Sequence, residues 1–132
     1  MEKIVITIGA SSDHFGAYAE NCQGIFGAGD TADEAKENAL KGLKLYCNSR
    51  DKKDLPEILQ GDYTIEFRYD TQSLLNYYHQ IFTNAALERM TGINQKLLHH
   101  YSSGLKKPRE AQRKKIETAL HRLGNELLSI KL

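Results

Sequence analysis

Hydrophobic and polar positions change rhythm once along this chain. Residues 4–8, IVITI, form a β-branched run that predicts a buried strand. Residues 15–19 and 22–27 predict a second and a third strand, joined by short turns rich in Ser, Asp, Asn and Gln. Thr31 and Glu34 then spell a T-x-x-E capping box, with Asp30 and Asp33 suited to the positive end of a helix dipole. Ala35, Ala39, Leu43 and Tyr46 recur at helical spacing, so a helix is expected to about Cys47. The charged segment NSRDKKDLP reads as a surface loop. Beyond it Tyr63, Ile65, Phe67 and Tyr69 alternate with Thr64, Glu66 and Arg68, the period of a half-buried strand.

From Ser73 onward the period is helical and no strand pattern returns, which places a boundary near residues 70–72 between a unit spanning 1–70 and one spanning 73–132. Leu74, Tyr78 and Ile81 share one helix face. Asn84 is suited to cap a second helix carrying Leu87 and Met90, and Gly92 supplies a left-handed turn. Ile93, Leu98 and Tyr101 give a third helix its buried side. Two short helices joined by such a glycine turn make a helix-turn-helix pattern. With Leu98 and Tyr101 inward, helical geometry places Gln95, Lys96, His99, His100 and Ser103 outward. That row is polar, long and cationic, as contacts to base edges and phosphates require. Gly104 is expected to end the helix, Lys106 and Lys107 to sit in the following loop, and Pro108 to open a fourth helix with Ile116, Leu120 and Leu123 inward. The two loop lysines are suited to phosphate neutralisation, which adds affinity without reading sequence. The expected fold class is α+β: a β-β-β-α-β unit followed by an all-α unit of four to five helices.

Charge sharpens the division. Residues 1–70 hold 8 Lys+Arg against 13 Asp+Glu, a net −5, while residues 71–132 hold 10 against 4, a net +6. Two surfaces of opposite sign attract different polyelectrolytes, and the basic one suits a nucleic acid. Two cysteines, Cys22 and Cys47, are too few for a disulfide framework or a four-cysteine zinc site and are expected as reduced thiols. No apolar run is long enough for a bilayer and MEKIVITIGA lacks a secretion-signal layout, so a cytoplasmic protein without a membrane partner is expected.

Several kinds of chemistry find little support. Residues 27–32 match G-x-G-x-x-A between a strand and a helix, but Asp30, Asp33 and Glu34 would meet any pyrophosphate held there. The motif is therefore read as a tight glycine turn feeding a capped helix, with no nucleotide cofactor. The histidines, His14, His79, His99, His100 and His121, lack metal-ligand spacing, and no nucleophile elbow or close carboxylate pair accompanies them. No metal, cofactor or catalytic residue is assigned, and the chain is read as a non-enzyme.

Residues 83–108 resemble the Cro/repressor-type helix-turn-helix, through T-G-I-N-Q at 91–95 and S-G-L-K-K-P at 103–108 in register without a gap. The resemblance implies base contacts from Asn94, Gln95, Lys96 and His100, and a phosphate contact from Asn84. It departs at Glu88, where the family usually carries a small alanine. Residues 1–70 resemble the HicB-type antitoxin domain, a partial RNase-H-like β-β-β-α-β unit, through FGAYAENCQGIFGAGDT followed by ADEAKENALKGL, above all G-x-G-D-T-x-x-E-A at 27–35. There Asn21-Cys22-Gln23 stands in place of a common proline.

Together these resemblances imply an antitoxin that sterically covers a HicA-like ribonuclease toxin and represses its own operon by binding operator DNA, as a homodimer or higher oligomer. Toxin-contacting residues are not legible. A free-standing transcriptional regulator, whose first unit dimerises or senses a ligand, is the second reading. A hydrolase working through its histidines is the third.

Overall fold

The computed structural model describes residues 1–11 and 13–132, and these divide into two compact units, Met1–Ser73 and Leu74–Leu132. The molecule is mixed α+β.

The first unit is built on a four-stranded sheet of order β3-β2-β1-β4: β1 (Glu2–Ala10), β2 (Phe15–Ala19), β3 (Phe26–Gly29) and β4 (Tyr63–Tyr69). β1, β2 and β3 form an antiparallel meander, while β4 joins β1 in parallel after the crossover helix α1 (Ala32–Asn48). Ile4, Ile6 and Ile8 are fully buried on the α1 side of β1, against Ala35, Ala39 and Leu43. Thr31 Oγ1 accepts the Glu34 N–H at 3.1 Å, and the Glu34 carboxylate reaches back to the Asp30 N–H at 2.7 Å. The reciprocal bond thus falls one residue earlier than in a standard capping box.

The third strand begins later than expected, at Phe26. Residues 20–25 form a turn pivoting on Gly24 at φ 86°. Asn21 extends the β1 pairing with its side chain, accepting the Val5 N–H at 3.1 Å and donating to the Lys3 carbonyl at 2.7 Å. The expectation of a glycine turn at residues 27–29 is also corrected. Gly27 and Gly29 lie inside β3 without positive φ, and they are seats for α1. A Cβ on Gly27 would fall on the Ala39 nitrogen and lie 2.6 Å from the Ala35 carbonyl oxygen, and one on Gly29 would fall on the Glu34 Cβ.

The segment expected as a plain loop carries a 3-10 turn (Lys52–Asp54) and a short helix α2 (Glu57–Gln60), which bury Leu55 and Leu59. Asp70 opens helix α3 (Thr71–Tyr78) by accepting the Ser73 N–H at 3.2 Å.

The second unit holds the remainder of α3 and three helices, α4 (Asn84–Thr91), α5 (Gln95–Ser103) and α6 (Glu110–Leu128). Its core joins Leu75, Leu87, Ile93, Leu98, Tyr101 and Ile116, with Phe82, Met90, Leu97 and Leu120 packed around them. Ile81 is not on the α3 face: the helix stops at Tyr78, Ile81 closes a turn onto the Tyr78 carbonyl and is 68% exposed, and Leu75 takes the buried position. Asn84 does not cap α4. Thr83 does, its hydroxyl accepting the Ala86 N–H at 3.0 Å. Pro108 precedes α6 by two residues, and Arg113 donates to its carbonyl at 2.8 Å.

Candidate nucleic-acid interface

The candidate interface is built by the passage from α4 to α5. Gly92, at φ 76°, reverses the chain after α4 and donates its N–H to the Glu88 carbonyl. Glycine occupies this left-handed cap without the Cβ penalty of other residues. Thr91 braces the turn twice, donating to the Leu87 carbonyl at 2.6 Å and accepting the Ile93 N–H at 3.1 Å. Ile93 is then buried and Asn94 caps α5 by accepting the Lys96 N–H at 2.7 Å. The exit repeats the device: Gly104, at φ 82°, donates to Tyr101, and the chain folds back so that the Lys106 N–H meets the His100 carbonyl.

Leu98 and Tyr101 anchor α5 in the core, so the opposite arc faces outward. Gln95, Lys96, His99 and Ser103 are exposed on it, and Lys106 and Lys107 are exposed in the following turn. Gln95, His99 and Ser103, spaced by four, run along one line with Lys96 beside it. Two of these side chains have local partners: Gln95 Nε2 donates to Glu88 Oε2 at 2.9 Å, and Ser103 donates to the His100 carbonyl at 3.2 Å. Glu88, at the position where the resemblance departs, therefore orients Gln95. Asn94 is exposed but its carbonyl oxygen is committed to the cap, and Asn84, the first residue of α4, is half-buried.

His100 differs from its expected outward placement. It is half-buried and its Nδ1 is enclosed without a hydrogen-bond partner. Burial, reinforced by Lys106, Lys96 and His99, holds its pKa below the ordinary histidine value. An unfolded chain then binds the proton more readily than the folded one. The second unit should lose stability as pH falls below about 6.5, where an unfolded histidine begins to charge. His100→Gln is expected to flatten this slope in thermal denaturation compared at pH 7 and pH 5; an unchanged slope contradicts the assignment.

The rest of the unit is cationic. The second unit carries a net +6, and α6 presents Arg113, Lys114 and Lys115 exposed together. Lys114, Lys115 and Arg122 also line a shallow groove of about 470 Å³ with Met90, Thr91, Ala111, Thr118 and Ala119, and no carboxylate is among its lining residues. Arg122 stands apart in sequence from the run at 113–115. Its place beside Lys114 follows from two helical turns of separation, which a search for adjacent charges passes over.

Among the described residues, the first unit has one grouping with hydrolase-like residue types. Ser11 Oγ and Asp13 Oδ1 each lie 2.9 Å from His14 Nδ1, and the hydrogen bonds from His14 and Ser11 lower the Asp13 pKa. A relay needs the serine on one ring nitrogen and the carboxylate on the other, and here both sit on Nδ1. Among the described residues no group of three or more His, Cys, Asp or Glu is placed to hold a metal ion, and no helix is long and apolar enough to cross a membrane. Cys22 and Cys47 are free thiols, and burial raises the pKa of Cys22. On the sheet face away from α1, the register partners Tyr18 and Phe26 stand 47% and 64% exposed, an aromatic pair brought together only by the cross-strand register.

No family model, curated protein or solved structure matches the chain.

Proposed function

We propose that the second unit is a helix-turn-helix DNA-binding module in which α5 is the reading helix. The observation that carries this is one exposed row: Gln95, Lys96, His99 and Ser103 on α5, continued by Lys106 and Lys107, on a helix fixed from behind by Leu98 and Tyr101. Side chains of these types match the donor and acceptor pattern of a major groove and its flanking phosphates. Gln95, oriented by Glu88, is the base reader; the loop lysines bind backbone.

Taken with the resemblance of residues 1–70 to HicB-type antitoxins, the fuller reading is an antitoxin and autorepressor. The first unit, at net −5, covers a basic, HicA-like ribonuclease, and the second binds operator DNA as a dimer. The exposed Tyr18 and Phe26 supply aromatic anchors of the kind that dominate protein contacts.

Binding measurements separate the two roles assigned to the row. Gln95→Ala is expected to cost about 1–3 kcal/mol at particular base positions of a selected site. Lys106→Ala is expected to weaken specific and random duplexes alike and to reduce the salt slope by about one. Equal effects of both changes on both duplexes would sink the assignment. For the fuller reading, co-expression with the neighbouring small reading frame should yield a stoichiometric basic partner through a single tag. A clean lone protein would favour the free-standing regulator.

A further inference from the structure

The groove between α4 and α6 has no part in the reading helix. It holds about 470 Å³ between the C-terminal end of α4 and one side of α6, and none of its lining residues comes from α5 or the loop after it. All of them belong to the second unit.

Its lining sorts by depth. The least exposed members are apolar: Ala119 is 5% exposed and Met90 is packed against the core. Thr91 beside them spends its hydroxyl on the turn after α4. Around this bottom Lys114, Lys115 and Arg122 are exposed. Lys115 and Arg122 are seven residues apart, so helical period puts them on one line about 10.5 Å long. By the same period Glu110 and Glu117 fall on the far side of α6, and Glu126 lies a turn beyond Arg122. The ion pairs among the described residues all lie in the first unit, so no carboxylate of the chain neutralises these cations.

An apolar bottom inside a cationic rim selects its occupant. A duplex backbone meets proteins through its phosphates and gains little from methionine and alanine. A free phosphate leaves most of the groove to water. An acidic amphipathic helix uses both parts, because its apolar face fills the bottom while its carboxylates reach the rim. Methionine adapts to whatever side chain it meets, and alanine lets a second helix come close. Carboxylates seven residues apart on such a helix repeat the spacing of Lys115 and Arg122. We propose that the α4–α6 groove docks an acidic amphipathic helix of a partner protein, with a leucine-like side chain on Met90 and Ala119 and carboxylates on Lys115 and Arg122. Lys114 adds positive charge at the rim. This docking does not require that α5 reads DNA, and either can fail without the other.

Fluorescence anisotropy with the full chain tests it. The probe is a dye-labelled, alanine-rich peptide of about 15 residues, with two Glu seven residues apart and Leu between them on the same helical face. Its dissociation constant is expected between about 1 and 100 µM. Lys115→Glu with Arg122→Glu sets like charges opposite each other twice and should raise the constant at least about tenfold. Replacing the leucines of the peptide by serine should raise it at least about fivefold, through the lost apolar contact. Lys41→Glu with Lys44→Glu makes the same change of net charge on α1 and should leave it within about twofold. All four lysine and arginine side chains are exposed, and circular dichroism verifies that each variant keeps its fold. Absence of binding up to about 1 mM overturns the proposal. So does an equal loss in the two charge variants, or a peptide indifferent to its leucines. A short random duplex that competes the peptide off the wild-type chain would assign the groove to nucleic acid instead, and overturns it likewise.

Discussion

Gly27→Ala is expected to destabilise the β-rich unit by about 3 kcal/mol or more, at the upper end of what overpacking costs. The added methyl would fall on the Ala39 nitrogen and lie 2.6 Å from the Ala35 carbonyl oxygen and 2.7 Å from the Asn38 carbonyl carbon. All three are backbone atoms of α1, so no side chain can rotate away and the helix itself must lift from the sheet. Lifting it uncovers Ile4, Ile6 and Ile8, the largest fully buried side chains of the unit. Since whole domains hold about 5–15 kcal/mol, this is a large share of the total. Gly61→Ala is the control, because nothing lies within 4 Å of its added Cβ and its φ is −117°. Denaturant midpoints should fall sharply for the first variant and stay within about 0.5 kcal/mol of wild type for the second. Similar midpoints for the two would refute the seat assigned to Gly27.

Leu98→Ala is expected to cost about 2–5 kcal/mol and to unfold the helical unit alone. Leu98 is 1% exposed at the centre of a cluster drawing on α3, α4, α5 and α6. A unit of this size has a thin core and a small margin, so one cavity consumes much of it. In amide NMR spectra, signals of residues 74–132 should collapse to unfolded positions while those of 1–73 keep their dispersion, and the DNA binding proposed for the second unit should not be detected. Loss of both sets of signals together would contradict two separately stable units.

How much of this was legible in the sequence depended on the range of the interaction. Local signals carried far: the strand from Tyr63 to Tyr69, the Thr31 cap on the Glu34 N–H, the left-handed glycines at 92 and 104, and the inward set of Ile93, Leu98 and Tyr101 all have the expected structural forms, although burial along that strand does not alternate, Glu66 being half-buried and Tyr69 exposed. What failed was long-range or competitive. Nothing near Gly27 in the chain reveals that Ala39 will lie against it, so from sequence a close-approach glycine reads as a turn glycine. Leu55 and Leu59 are isolated apolar residues among charges, and their burial depends on the body of the unit. Thr83 and Asn84 are adjacent capping residues, and the choice between them fell to the register of α4. At the candidate interface, the exposed row was legible from helical period. The half-burial of His100 was not, because it accompanies a chain reversal after Gly104 that periodicity does not describe.

The parallel pairing of β4 with β1 also has a consequence for how the chain acquires its structure. Each register pair, from Glu2 with Tyr63 to Ile8 with Tyr69, joins residues 61 positions apart. Such contacts pay a large loop-closure entropy before they return any stabilisation, and they slow folding. At ordinary rates of synthesis the delay between making β1 and making β4 is about 3–12 s. During that interval the first three strands and α1 have no fourth strand, and β1 presents an unpaired flank beside its isoleucines. The helical unit, whose contacts are local in sequence, has no such wait. The β-rich unit is thus begun first at the ribosome and completed slowly, which makes the interval before β4 emerges the period in which the growing chain most needs protection from other chains.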